Sequence, residues 1–226
     1  MNRKQYHAAL DLSGAEAGLA VMPVDGAAVL FVAHGEMRGR GAALLLEWIK
    51  ERLQEHQLEL TAITRWTVGS GPGSFTGLRM AAALVGGLIF GHPECTARAL
   101  PTALALAAGC HAAPGETIAT LFDGRNRELL LFGVRRTADG VEADGRSIVI
   151  DAASAPAALA GYHHYAAFSV DREAMAKLLP ADTIAAVKFF PHLPVETLLT
   201  QPSDNWNNDL TGLVYIRQAV FTQPIN

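Results

Sequence analysis

The segment that most restricts the fold of this chain is a strand that continues directly into a glycine-rich turn and a helix. Residues 63–68 are strand-like, residues 69–75 form the glycine-rich turn, and residues 76–90 follow with helical spacing. Glycines at such a junction let backbone N–H groups approach a neighbour closely, and the first helical turn favours an anion. The segment has neither the Gly-Lys-Ser/Thr of a P-loop nor the dinucleotide-binding spacing. Two interpretations stay open: a tight turn with a helix cap, and a contact to phosphate or another ligand.

The order of the elements around this junction indicates a fold. Three strand-like segments come first, and Asp25-Gly26 between the second and third predicts a two-residue hairpin turn. The predicted elements are strands over 6–13, 18–23, 27–33, 63–68 and 95–99, and helices over 41–60, 76–90 and 101–108. Three antiparallel strands followed by helix–strand–helix–strand–helix is the order of a ribonuclease H-like lobe.

The rest of the chain predicts a second lobe. A strand pair covers residues 117–122 and 129–134, and a helix over 153–159 and a strand over 164–170 follow. Actin, Hsp70 and sugar kinases duplicate the ribonuclease H-like lobe, so we expect an α/β, two-lobe actin-like (ASKHA) fold. The predicted domains are residues 1–108, which carry the glycine-rich motif, and residues 109–226, a smaller and divergent lobe.

Composition and charge limit the kind of protein and its partners. The 226 residues are 50% apolar and 18% charged, which excludes disordered and low-complexity classes. No apolar run is long enough for a membrane span and the N-terminus does not have the pattern of a signal peptide, so we expect a cytoplasmic protein with no membrane partner. The net charge is −4, its acidic excess lies within residues 111–226, and no basic run is typical of a nucleic-acid site. If RNA takes part in the work of this protein, we therefore expect another chain to supply most of the contacts to it.

Catalytic and metal-binding patterns are weak in this sequence. Ser74 lacks the G-x-S-x-G frame, no carboxylate pair stands out, and the eight histidines include no H-x-x-x-H pair on one helical face. We therefore predict no catalytic residue and no metal site. Asp11, at the end of the first strand, either faces a nucleotide cleft or forms an Asx-type turn. The polar turn over residues 123–128 is likewise either a site or a self-paired hairpin turn.

Six residues are the candidates for binding a cofactor. They lie at the end of the first strand or in the glycine-rich turn: Asp11, Ser13, Gly71, Gly73, Ser74 and Thr76. Ser74 or Thr76 is also suited to cap the helix that follows, because a hydroxyl at that place accepts a hydrogen bond from a free backbone N–H.

The helix over 76–90 predicts a partner surface. Apart from Arg79 it has no charge on any face, and many of its residues are small. A peripheral helix is covered only on its inner side, here predicted as Leu78, Ala82, Val85 and Ile89, so its apolar outer side favours a partner. The alternative is a central helix packed beneath the second lobe. The predicted interface residues are Arg79, Met80, Ala83, Gly86 and Gly87.

Residues 71–79, GPGSFTGLR, resemble the signature of the TsaB family, also called YeaZ. These proteins are bacterial paralogues of the TsaD/Kae-type proteins once classed as glycoproteases, the M22-type peptidases. Residues 9–13 are similar to the family's opening I-D-T-S strand, residues 122–129 to its D-A-R-x-x-E-V-Y turn and residues 214–217 to its closing Y-L-R. The chain departs from the family at residues 38–42, at Gly124 and Leu130, and over residues 145–210.

The resemblance implies a role in making N6-threonylcarbamoyladenosine (t6A) on tRNAs that read ANN codons. In that system TsaD transfers the threonylcarbamoyl group from threonylcarbamoyl-adenylate, and TsaB is a non-catalytic scaffold that pairs with TsaD and helps recruit the ATPase TsaE. The implied partners are a TsaD-like protein, a TsaE-like ATPase, a second copy of this chain when it is alone, and tRNA only through the complex.

The resemblance also bears on cofactors. The catalytic paralogue holds its metal with an H-x-x-x-H pair on the helix after the inter-lobe strand, and the matching residues 100–106 contain no histidine. We therefore expect no cofactor, apart from weak nucleotide binding at a residual cleft or a partner interface. The alternative function is a standalone enzyme, either an M22-type peptidase or a nucleotide hydrolase of the actin-like class.

Overall fold

The computed structural model describes residues 4–26, 28–36, 44–202 and 205–216. The strands in these residues are β1 (Tyr6–Asp11), β2 (Glu16–Pro23), β3 (Phe31–Glu36), β4 (Ile63–Gly69), β5 (Thr96–Leu100), β6 (Thr117–Arg125), β7 (Glu128–Arg136), β8 (Val141–Ile150), β9 (His164–Phe168) and β10 (Val187–Phe190). The α-helices are α1 (Leu45–Glu55), α2 (Phe75–Ile89), α3 (Thr102–Ala108), α4 (Ala155–Leu159), α5 (Arg172–Ala176), α6 (Ala181–Ala186) and α7 (Thr197–Thr200). Short 3-10 turns also occur at Leu60–Ala62 and Ser169–Asp171.

The first sheet has the strand order β3-β2-β1-β4-β5. β1 and β3 pair antiparallel with β2, whereas β4 pairs parallel with both β1 and β5. The central strand β1 is buried along nearly its whole length because helices cover both faces of the sheet. Leu45, Ile49 and Leu53 form the apolar face that α1 packs against the sheet.

The second sheet repeats the strand order of the first. Its order is β10-β9-β6-β7-β8, with β6 antiparallel to β7 and parallel to β9, as β1 is to β2 and β4. β7 pairs antiparallel with β8, and β9 pairs parallel with β10. The predicted α/β, two-lobe actin-like fold is therefore confirmed, with one ribonuclease H-like sheet in each lobe.

A shared apolar core joins the two sheets. α3 packs against strands of the second sheet and against α7, and α7 in turn packs on β1 and β2 of the first. Val195, just before α7, lies against the backbone of Gly18, where an added Cβ would be 3.2 Å from it. The C-terminal part of the chain thus returns to the first lobe. The division at residue 108 stays a prediction.

Several boundaries differ from the sequence expectations. β2 ends at Pro23 and β3 begins at Phe31, so the two-residue hairpin predicted at Asp25-Gly26 is wrong. Val24 N–H donates to the Gln5 carbonyl (2.9 Å) and Gly26 N–H donates to the Pro23 carbonyl (3.2 Å), so the chain turns over residues 23–26 and a longer loop leads to β3. The helix predicted over 41–60 is shorter, Leu45–Glu55, and residues 27 and 37–43 lie outside the described residues.

The second lobe contains elements that the sequence reading missed. The helix predicted over 153–159 and the strand over 164–170 are present as α4 and β9, but β8, β10, α5, α6 and α7 were not anticipated. Among the described residues, no helix is long and apolar enough to cross a membrane.

Candidate functional site

Asp11 is the centre of a buried hydrogen-bond cluster at the end of β1. Its Oδ1 accepts from the backbone N–H (2.7 Å) and the hydroxyl (2.6 Å) of Ser13, and its Oδ2 accepts from the Thr102 hydroxyl (2.5 Å). Burial raises the pKa of the Asp11 carboxyl, and the hydrogen bonds from Ser13 and Thr102 oppose that rise. The bond to the Ser13 N–H is an Asx turn, so the Asx interpretation is confirmed.

The glycine-rich turn packs on the backbone that follows Asp11. A Cβ on Gly73 would collide with the Ser13 carbonyl, and a Cβ on Gly77 would collide with the Leu12 carbonyl. Ser74 N–H donates to the Ser13 carbonyl (2.7 Å), which holds the two segments together. These glycines therefore allow two backbone segments of the same lobe to approach closely, as the tight-turn interpretation requires.

The start of α2 is capped from within the turn. Ser74 is the N-cap residue, and its hydroxyl accepts from Gly77 N–H at 3.2 Å. Gly71 N–H donates to the Thr102 hydroxyl (3.0 Å), which links the turn to the Asp11 cluster. Thr76 is exposed in the first turn of α2.

The structure thus brings together five of the six predicted cofactor-binding residues, Asp11, Ser13, Gly71, Gly73 and Ser74. Ligand binding by this group stays a prediction. Sequence reasoning missed Thr102, whose hydroxyl joins the Asp11 carboxylate to the turn. The available signal was a threonine directly after Pro101, at the start of a predicted helix.

An open cleft of about 260 Å³ lies beside Asp11, between the first-lobe hairpin and the segment after β10. Its described lining includes the carboxylates of Asp11, Glu16 and Glu36, and no lysine or arginine. His192 Nδ1 lies 2.7 Å from Glu16 Oε2, and its ring stacks on that of His34 with centroids 4.7 Å apart. The described part of this lining is therefore mainly acidic, and whether the cleft holds a nucleotide stays a prediction.

The corresponding turn of the second lobe is more open. Asp123 is exposed, and its Oδ1 accepts from Arg125 N–H at 2.8 Å. Its own N–H donates to Asp171 Oδ2 (3.3 Å), and burial together with the charge of Asp123 raises the pKa of Asp171 to about 6. The carboxylate of Asp123 is thus engaged by the backbone of its own turn, and residues 123–128 form the turn of the β6–β7 hairpin. Pairing of the charges within this turn stays a prediction.

Helix α2 has one buried stripe and one exposed apolar stripe. Gly77, Leu78, Ala81 and Val85 are buried against the first sheet, whereas Ala82 and Ile89 of the predicted inner stripe are only half-buried. The predicted interface residues are on the other side: Arg79, Ala83 and Gly87 are exposed, and Met80 and Gly86 are half-buried. Added Cβ atoms at Gly86 and Gly87 would meet no atom within 4 Å. Helix α2 is therefore not enclosed by the second lobe.

An aromatic and basic cluster lies at the N-terminal end of this exposed stripe. The Arg79 guanidinium lies 3.7 Å from the centre of the Phe75 ring, and its Nε donates to the Tyr215 hydroxyl (3.2 Å). The rings of Phe75 and Tyr215 are 5.1 Å apart, and both are partly exposed. Arg217, the last residue of the matched closing motif, and residues 38–42 lie outside the described residues.

Helix α3 occupies the position where the resemblance places the metal-binding histidine pair of the catalytic paralogue. Its residues from Thr102 to Ala107 are buried, and most of them are alanine or leucine. Within the described part of the chain, no three His, Cys, Asp or Glu side chains form a group that could hold a metal ion.

Comparisons with known proteins agree with this geometry. A family model described as TsaD, tRNA N6-adenosine threonylcarbamoyltransferase, matches residues 41–195. Two solved structures from Pseudomonas aeruginosa are similar in fold. YeaZ is 22% identical with a TM-score of 0.65, covering 87% of this chain and 89% of that one. An uncharacterized protein with similarity to peptidase YeaZ is 23% identical with a TM-score of 0.63, covering 86% and 88%.

No curated protein sequence matches the chain. The family model covers more than half of the residues, and the strand order, the glycine-rich turn and the solved structures agree with it. The chain therefore belongs to the TsaD family of tRNA N6-adenosine threonylcarbamoyltransferase proteins and is a TsaB-like, YeaZ-like member of it in fold.

Proposed function

We propose that this chain is a non-catalytic scaffold subunit of the t6A-forming assembly, in which the exposed stripe of α2 pairs with a TsaD-like protein. In the absence of that partner the same stripe pairs with a second copy of this chain. The pair then helps to recruit a TsaE-like ATPase, and tRNA is bound through the complex in the cytoplasm. The proposal follows from family membership and from the one observation that carries it, the exposed stripe of small residues on α2.

The chemistry of the exposed stripe supports helix pairing. Ala83 and Gly87 are exposed one turn apart, and Gly86 has open space above its Cα. Small residues at this spacing let a second helix approach with its backbone close to the first, which increases dispersion contacts. The ring of Phe75 and the side chain of Arg79 would then flank the partner helix, and such aromatic and arginine residues are enriched at interfaces.

Two further features support a non-catalytic role. Helix α3 presents buried alanine and leucine side chains where the catalytic paralogue, by the resemblance, carries metal-binding histidines. The inter-lobe cleft is lined by three carboxylates and by no described lysine or arginine, which opposes binding of a nucleotide polyphosphate. Both observations favour the scaffold over the alternative of a peptidase or nucleotide hydrolase.

The substitution Ala83→Glu tests the proposed pairing. Glutamate is a good helix former on an exposed face, so we expect the variant to fold, with its melting temperature lowered only by the stability that self-pairing adds to the wild type. At a helix–helix interface its charge would be desolvated without a partner, costing about 3 kcal/mol of association, or roughly a hundredfold in affinity. Sedimentation velocity would measure self-association, and a pull-down with the TsaD-like protein of the same organism would measure pairing.

Ala157→Glu is the matched control, because Ala157 is an exposed alanine in α4 of the other lobe. We expect this variant to associate like the wild type. Normal association of Ala83→Glu would place the interface elsewhere, and unfolding of Ala83→Glu would mean that α2 is an interior helix. Peptidase activity or ATP hydrolysis by the purified chain alone would favour the enzyme alternative.

A further inference from the structure

A second cavity, of about 210 Å³, opens at the opposite end of the first sheet from Asp11. His7 and Arg65 are register partners near the starts of the parallel strands β1 and β4, and Thr67 of β4 is the register partner of Arg98 in β5. These side chains share one face of the sheet because register partners and alternate residues point the same way. Trp206, from the C-terminal part of the chain, also lines the cavity.

Arg98 is a fixed, buried cation in the cavity wall. Only 3% of the residue is exposed, and its Nε donates to the Thr67 hydroxyl (2.9 Å) while Nη2 donates to the Leu198 carbonyl (3.2 Å). Its guanidinium carbon is 4.5 Å from the centre of the Trp206 ring. The position of this charge is therefore set by the fold before any ligand arrives.

Arg65 supplies a second, exposed cation at the mouth. Its guanidinium carbon lies 5.6 Å from the centre of the same Trp206 ring, so both arginines border one indole. Arg65 makes no ion pair within residues 4–26, 28–36, 44–202 and 205–216. Its guanidinium donors thus have ordinary access to a ligand from solvent.

His7 lines the cavity as a neutral side chain. Its Nε2 lies 2.8 Å from the Thr67 hydroxyl oxygen and its ring meets Trp206 edge-on at 5.2 Å. Burial, followed by the charges of Arg98 and Arg65, lowers the pKa of His7 to about 3. The histidine therefore remains neutral near pH 7, and the charges on the cavity lining are those of Arg65 and Arg98.

We infer that this cavity binds a small oxyanion, a phosphate or carboxylate group, held by the Arg65 and Arg98 guanidiniums beside the Trp206 indole. Planar guanidinium groups match the paired oxygens of such anions, and the described lining of the cavity includes no carboxylate to compete. The cavity of about 210 Å³ has room for one such group together with bound water. This site is independent of the proposed pairing through α2, because the two use different residues.

Inorganic phosphate is the probe for this site. The chain has three tryptophans, so the ¹⁵N–¹H spectrum should contain three indole signals, and Trp206→Phe would identify the one from the cavity. Titration with phosphate at constant ionic strength, balanced with sodium chloride, should shift the Trp206 signal along a saturable curve with a Kd below about 10 mM. Acetate titrated in the same way tests whether a carboxylate is also accepted.

Arg65→Gln should weaken phosphate binding at least about tenfold, because it removes one guanidinium from an exposed position without disturbing the core. Arg135→Gln, at an exposed arginine of β7 in the second lobe, is the matched control and should leave the titration unchanged. A titration that does not saturate, or equal affinity in the wild type and Arg65→Gln, would show adventitious ion binding only and would overturn the proposal.

Discussion

The two lobes share a strand order, but the turns that follow their first strands are built differently. In the first lobe Asp11 is the last residue of β1, and in the second lobe Asp123 directly follows the buried part of β6. In both lobes a glutamate five residues later, Glu16 or Glu128, starts the next strand. Asp11 is 2% exposed and bonded to Ser13 and Thr102, whereas Asp123 is exposed. The second turn also contains left-handed residues, with φ of 61° at Arg125 and 60° at Arg127.

The difference has its origin in the next parallel strand of each sheet. β4 leads into the glycine-rich turn and the long helix α2, which pack on the first turn. β9 leads into a single 3-10 turn and the five-residue helix α5, which cover less of the second turn. Duplicated strand order therefore does not imply duplicated sites, because the segments that cover the two turns differ in length and composition.

Substitution of the turn glycines should give the largest difference between the lobes. Gly73→Val should reduce the free energy of unfolding by about 3 kcal/mol, because the new side chain would overlap the Ser13 backbone. Gly124→Val should cost only about 1 kcal/mol, since its Cβ would lie 3.0 Å from the Glu128 carbonyl in an open turn. Urea denaturation would measure both values, and equal losses would mean that the first turn is no more tightly packed than the second.

Removing one carboxylate charge in each turn should give a smaller difference. In Asp11→Asn the new amide would face the Thr102 hydroxyl, which already accepts from Gly71 N–H and would lose its acceptor. A buried donor left without an acceptor costs about 2 kcal/mol. Asp123→Asn keeps an oxygen for Arg125 N–H at an exposed position and should change stability by less than about 0.5 kcal/mol. Comparable losses in the two variants, measured by thermal denaturation, would contradict the difference in burial.

The first lobe could be predicted from the sequence because its signals are local and long. Leu45, Ile49 and Leu53 recur at helical spacing, and the Asx turn at Asp11 and the cap at Ser74 involve residues two or three positions apart. Thr102 could not be identified as a partner of Asp11 because their hydrogen bond joins positions 91 residues apart. Long-range pairing of this kind is a property of the folded topology rather than of any local pattern.

The second lobe gave weaker local signals. β8 is a polar edge strand with a register shift near its middle and a left-handed Gly145, so it lacks the alternation that identifies a half-buried strand. Helices α5, α6 and α7 are four to six residues long, too short for a 3.6-residue periodicity to appear. They are stabilised by tertiary packing, and the sequence does not reveal that packing.

The smallest expected effect concerns the pH dependence of the second turn. Burial and the neighbouring charge of Asp123 raise the pKa of Asp171 from 3.8 to about 6, so the folded chain holds a proton that the unfolded chain has released. The contribution of Asp171 to the free energy of unfolding is therefore largest below about pH 4, and it decreases as the pH rises to about 6. Asp171→Asn removes the ionisation and keeps an oxygen for Asp123 N–H, so it should stabilise the chain by about 1 kcal/mol at pH 8 and by little at pH 4. Chemical denaturation at the two pH values would measure this, with the exposed Asp139→Asn as control; a gain that is equal at both pH values would show that Asp171 does not titrate abnormally.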